Sequence, residues 1–166
     1  MVASGTRDEV VVDVVDRQRF VAVGAAWLER VVRRALDREG IARAVVSILL
    51  VGDRKMARLH EEWLGIPGPT DVISFDLAGA GPAAGRLEGD VVVSTETARR
   101  VARELRWQPR HEVAYCAIHG LLHLAGYDDL APASRRAMRA RERVWLRAAG
   151  LPPPPGSRTR PGRRTA

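Results

Sequence analysis

Lysine is almost missing from this chain: among 27 basic residues Lys55 is the only one that is not arginine, and with 20 acidic residues the formal charge is +7 at pH 7. So one-sided a choice of cation reflects codon usage as readily as selection for phosphate contacts. The positive charge is therefore modest evidence for a nucleic-acid partner, and part of it lies in the C-terminal tail. Cys116 is the only cysteine, which excludes an internal disulfide and suits a reducing cytoplasm. No apolar run approaches the roughly 20 residues needed to cross a bilayer. Asp8, Glu9, Asp13 and Asp16 interrupt what a secretory leader would keep apolar. A cytoplasmic chain without membrane attachment is expected. No internal repeat is present, and 166 residues allow one domain with a single sizeable core.

What the chain does have is concentrated in His119-Gly120-Leu121-Leu122-His123-Leu124-Ala125-Gly126-Tyr127-Asp128-Asp129. The segment closes an apolar run, Val113 to Ile118, that reads as a core helix. Two imidazoles four residues apart project from adjacent turns of one helical face, about 6 Å apart along the axis, so both reach a single ion. Gly126 falls where a helix stops in the left-handed conformation, and the returning chain brings Asp129 in as a third ligand. Three protein ligands leave a fourth position for water, the pattern of catalytic rather than structural zinc. A lone histidine on an apolar helix is ordinarily a hydrogen-bonded core residue. Here the pair comes with a mid-helix glycine, a helix-ending glycine and a carboxylate, in surroundings where unpaired polar groups are costly.

The same stretch resembles the H-G-x-L-H-L-x-G-Y-D-H signature of the bacterial YbeY family, zinc-dependent endoribonucleases of rRNA maturation. Pro69-Thr70-Asp71-Val72-Ile73-Ser74-Phe75 is similar to that family's P-T-D-V-L-S-F segment, and Gly89-Asp90-Val91 to its G-D-I or G-D-V strand. The three blocks occur in the family's order over about residues 10–150. Two departures stand out. Asp129 replaces the family's third histidine, so with zinc the site would carry one positive charge less, acidify water less, and tolerate other, harder divalent metals. Asp128 rivals Asp129 as third ligand, or acts behind a ligand by orienting an imidazole. Leu64 stands where the family commonly has an arginine, and that arginine's role is not carried over.

Taken in order, residues 1–8 read as a disordered N-terminus, 9–150 as the endoribonuclease-like domain, and 151–166 as a Pro- and Arg-rich disordered tail. Residues 10–15 make a β-branched strand, and Phe20, Val23, Trp27, Val31 and Ala35 recur at helical spacing up to Gly40. Residues 44–51 make a second strand, and Asp53 is placed to cap the next helix, which carries Met56, Leu59, His60 and Trp63 on one side. His60 is read as a hydrogen-bonded structural residue or as an assistant at the site. Asp71 is read equally as a loop anchor or as a group positioning substrate or water. Residues 77–85, rich in Gly and Ala, form a surface connection before the strand at 90–93. Ser94 or Thr95 caps a helix to about Leu105, with Glu96 at its positive end. Cys116, three residues before His119, is a small core residue by default and a ligand by proximity. In the last helix, opened by Pro132, Met138, Val144 and Trp145 offer apolar contacts. Arg135, Arg136, Arg139, Arg141, Arg143 and Arg147 form either a solvated face or a grip on phosphates.

This order of elements predicts an α+β single domain: a mixed sheet of about four strands covered by helices, with a zincin-like metal helix in the centre. The chemistry predicted is metal-assisted hydrolysis with one zinc ion per chain. In H-E-x-x-H peptidases a glutamate beside the first histidine is the general base. Gly120 occupies that place and does no acid–base work, which counts against a peptidase. The resemblance implies RNA as partner, specifically small-subunit rRNA near its 3′ end or precursor ribosomal particles, with no membrane and no DNA specifically expected. The proton acceptor is left open among metal hydroxide, Asp71, Asp128 and His60. A non-cleaving, metal-stabilised ribosome-assembly factor is the alternative, and a zinc peptidase with an unrecognised base the third reading.

Overall fold

Alternating and β-branched runs become strands and the apolar-periodic segments become helices, in the order β1 (Val10–Asp16), α1 (Ala25–Arg38), β2 (Arg43–Val51), α2 (Asp53–Leu64), β3 (Val72–Asp76), β4 (Arg86–Ser94), α3 (Thr95–Leu105), α4 (Pro109–Leu124) and α5 (Pro132–Ala148). These come from a computed structural model that describes residues 9–78 and 86–155. The expectations for residues 1–8, for most of the 77–85 connection and for the tail from 156 onward fall outside the described residues. The strands form one mixed sheet in the order β1-β2-β4-β3. β1, β2 and β4 are parallel, with Val12 opposite Val46 and Val46 opposite Gly89, while β3 runs antiparallel along the edge, with Val72 opposite Val93. The expected α+β architecture with a four-stranded mixed sheet is what is found.

Side-chain alternation sorts the two faces of the sheet. Ile48, Leu50, Val91, Val93 and Val72 face the main core, which α1 and α4 cover, with α5 packed across both helices. Val51, Ile73 and Val92 point the other way and meet Met56 of α2, with Leu64 and Phe75 alongside. The opposite face is less covered toward β1: Val11 and Val45 are exposed there.

Two local expectations give way. The first helix begins at Ala25 rather than Phe20 because the Gln18 side chain ties the preceding segment into a turn. Its Oε1 accepts the amides of Phe20 and Val21 at 2.6 and 3.0 Å, and its Nε2 donates to the Val21 carbonyl at 2.9 Å. Asp53 is not the cap of α2; Gly52 occupies that position. The Asp53 carboxylate instead accepts from Ser94, Thr97 and Arg100 at the start of α3, while Glu96 of α3 accepts the Asp53 backbone amide at 3.0 Å. Each helix thus supplies a carboxylate to the other's N-terminal turn. Ser94 caps α3, accepting from the Thr97 amide at 3.3 Å.

Candidate metal centre

The helix that carries both histidines is buried on nearly every side, from Glu112 through Leu122 and again at Leu124. A helix apolar all round belongs inside, and α4 lies between the sheet and the other helices. Its seating depends on Gly120. A Cβ there would lie 2.6 Å from Val91 Cγ1, 2.9 Å from Ser74 Oγ and 3.1 Å from Val72 Cγ2. The missing side chain lets the turn between the two imidazoles rest directly on β3 and β4. Ser74 then donates to the Gly120 carbonyl at 2.9 Å, a buried tie from strand to helix.

The other end of the stretch behaves as its glycine predicts. Gly126 has φ +93°, the Gly126 amide meets the His123 carbonyl at 2.9 Å, and the Tyr127 amide meets the Leu122 carbonyl at 3.0 Å. This paired closure reverses the chain and returns Asp129 to the histidines. His119 Nε2 and His123 Nε2 are 2.9 Å apart, and Asp129 carboxylate oxygens stand 3.7 Å from the first and 3.9 Å from the second. One ligand atom from each residue fits within a 4.8 Å group. Tetrahedral zinc with bonds of about 2.0–2.1 Å requires ligand atoms roughly 3.3 Å apart. The three separations straddle that edge, and two imidazole nitrogens with a carboxylate form a donor set suited to zinc and to neighbouring divalent metals. The residues fit the ion. The Asp129 side chain keeps 18 % of its surface accessible, against 4 % for His119, so the group opens to solvent on the carboxylate side.

Behind the three candidate ligands lies a layer that the sequence reading missed. His119 Nδ1 is 2.6 Å from Glu142 Oε1, and the Tyr115 hydroxyl donates to Glu142 Oε2 at 2.7 Å. The signal was available: Met138, Glu142 and Trp145 fall on one face of α5, so a carboxylate interrupts a buried stripe. α5 also holds the returning loop. Arg135 donates to the Asp129 carbonyl at 3.1 Å, and Arg141 donates to the Tyr127 hydroxyl at 2.9 Å and pairs with Glu39 at 3.3 Å. These two arginines, read as a solvated face or a phosphate grip, brace the loop that carries Asp129. Arg136, Arg143 and Arg147 remain exposed.

The other sequence candidates are not members of the three-residue group. Asp128 is exposed and accepts from Ser134 and from the Leu130 amide, at 2.7 and 3.0 Å. Those hydrogen bonds, with a smaller pull from His123, hold its carboxyl below its ordinary value. It anchors the entry to α5 and is not in the three-residue group. His60 is buried in α2 and donates from Nδ1 to the Gly68 carbonyl at 2.8 Å, tying down the loop before β3; its Nε2 has no hydrogen-bond partner among the described residues. Asp71, half-buried at the entrance to β3, accepts the Ser94 amide through its carbonyl at 2.8 Å. It immediately precedes Val72, which packs beneath Gly120. Cys116 is fully buried with its thiol 3.8 Å from Glu112, outside the ligand group. Leu64, at the position of the absent arginine, packs on the α2 side of the sheet.

The family model described as Endoribonuclease YbeY matches residues 14–150. The chain is 45% identical over 147 residues to the Endoribonuclease YbeY of Anaeromyxobacter dehalogenans (strain 2CP-C), covering 89% of this chain and 70% of that protein. It is 37% identical over 140 residues to that of Chloroflexus aggregans (strain MD-66 / DSM 9485), covering 80% and 92%. With the relative from Anaeromyxobacter sp. (strain Fw109-5) identity is 48% over 112 residues, and the match spans 68% of this chain but only 58% of the relative's length. The solution structure of TM1509 from Thermotoga maritima superposes with a TM-score of 0.62 at 22% identity over 84% of this chain and 89% of that one, a likeness of fold. With its matched span running from the first strand past the last helix, the chain belongs to the endoribonuclease YbeY family.

Proposed function

We propose that this chain is a metal-dependent endoribonuclease that cuts single-stranded RNA, with small-subunit rRNA near its 3′ end, free or in precursor particles, as its substrate. The unit we assign to the work is residues 9–150, acting in the cytoplasm; among the described residues no helix is long and apolar enough to cross a membrane. The observation that carries the reading is the convergence of His119, His123 and Asp129. Zinc, one ion per chain, is the metal we assign to it. When bound, such an ion supplies Lewis-acid polarisation of a phosphodiester and acidifies water.

The protein's own residues supply the rest. His119 and His123 present Nε2 atoms from a helix seated on the sheet, so the donor geometry is set before any ligand arrives. Asp129 contributes the one anionic donor. We assign the positioning of water or substrate to Asp71, which stands at the entrance to β3 immediately before Val72, the residue that packs beneath Gly120. Gly120 supplies no base where a peptidase would need one.

The test is cleavage of a structured rRNA fragment with and without added zinc. The expected result is cutting by the wild type, none by His119→Ala, and an RNA-binding affinity common to both. Asp71→Asn should slow turnover at unchanged zinc content. Asp129→Ala should lower zinc content by elemental analysis, and an unaltered stoichiometry would remove Asp129 from the ligand set. A wild type that never cuts yet binds precursor subunits would replace this reading with that of an assembly factor.

A further inference from the structure

We propose that Glu142, backed by Tyr115, is the positioning residue of the metal centre: it fixes the tautomer and orientation of His119 and adds the negative charge that sets the affinity of the site for its ion. This rests on the metal reading above and goes beyond it to the role of α5.

The argument starts from which atom can donate. A carboxylate only accepts, so the 2.6 Å contact between Glu142 Oε1 and His119 Nδ1 places the hydrogen on Nδ1. The lone pair is thereby left on Nε2, the atom that approaches His123 Nε2 and the Asp129 carboxylate. Without that contact the two neutral tautomers compete, and one of them points N–H at the ion. The Tyr115 hydroxyl occupies the second Glu142 oxygen at 2.7 Å, which holds the carboxylate in the plane it needs. Tyr115 and His119 are one helical turn apart, so both read the same face of α5.

Burial argues in the same direction. Glu142 is 4 % exposed in a seam with Met138, Trp145 and Leu146, where an apolar residue would pack without desolvating a charge. A group so unfavourable for packing is explained by what it holds. Its charge would partly offset that of a divalent ion at the neighbouring imidazole, and its hydrogen bond fixes which ring nitrogen faces that ion.

The experiment is zinc affinity, by competition with a chromophoric chelator, on the full chain and on Glu142→Gln. Glutamine can accept from His119 and donate to Tyr115, so the metal-free fold is expected to keep its urea midpoint while affinity falls by about 10- to 100-fold. A purely structural role would move the midpoint and leave the affinity. As a second readout, ¹⁵N chemical shifts of the His119 ring in the metal-free protein should report hydrogen on Nδ1 in the wild type and a tautomer mixture in Glu142→Ala. Wild-type affinity in both variants, or an unchanged tautomer in Glu142→Ala, overturns the proposal. A wild type that binds no zinc overturns it together with the metal reading. Loss of affinity in the variants of a wild type that cuts no RNA supports the proposal and removes only the nuclease.

Discussion

At the scale of single residues, Gly120 shows how one absent side chain fixes a centre. In an isolated helix, replacing glycine by alanine gains about 0.8–1.0 kcal/mol. Here a methyl would meet Val91, Ser74 and Val72 at 2.6–3.1 Å, and all three neighbours are side chains of the buried β4–β3 face. Overpacking of that kind costs about 1–3 kcal/mol, so Gly120→Ala should be destabilised in spite of its better helix propensity. A urea midpoint equal to or above wild type would show that α4 can lift off the sheet without strain. Much of the site was legible at this scale: the two histidines, the carboxylate and Gly126 sit within eleven consecutive positions. Glu142 was legible only as a carboxylate interrupting an apolar stripe of α5; what it holds was not, because its partner lies 23 residues away and only packing brings the two together. Asp128 and Asp129 were indistinguishable as letters. Ser134, on the next helix, is what draws one of them away.

At the scale of elements, the starts of α2 and α3 are locked by exchanged carboxylates. Burial alone would raise the pKa of Asp53, but hydrogen bonds from Ser94, Thr97 and Arg100, aided by the Arg100 charge, outweigh it and hold the carboxyl below its ordinary value. A depressed folded-state value means that this contribution is complete above the unfolded aspartate pKa of about 3.9 and is lost as pH falls through the lower folded value. Asp53→Asn should therefore be less stable than wild type at pH 6, by about 1 kcal/mol allowing for partial exposure, with the gap closing below about pH 4. Parallel urea titrations at pH 6 and pH 3 check this, and a gap that persists at pH 3 would count against the ionised lock. The same region marks where pattern reading stops. Period and punctuation located α4 between Pro109 and Gly126, but the start of α1 was misplaced because Phe20 falls in helical phase while the Gln18 amide side chain bonds the backbone into a turn. Strand order was illegible because β4 enters between β2 and β3, a pairing that the period of a single strand does not announce.

At the scale of the whole molecule, a bound ion should act as a clamp between α4 and the loop that α5 holds. Free metal at 100 times its dissociation constant stabilises the folded state by about 2.7 kcal/mol. For a domain of this size that is a rise in Tm of about 5–10 °C. Thermal unfolding with zinc and then with excess chelator should show the rise and its reversal; a Tm indifferent to both would mean that the ligands do not converge in solution. α5 has a further consequence in time. Ser134, Arg135, Arg141 and Glu142 all come from it, so a growing polypeptide exposes His119 and Asp129 before their supports have been synthesised. With the role proposed for Glu142, ion capture at full affinity then waits for the final helix to dock. On the proposed reading, a translation product interrupted before Glu142 leaves the ribosome without the means to cut the RNA around it.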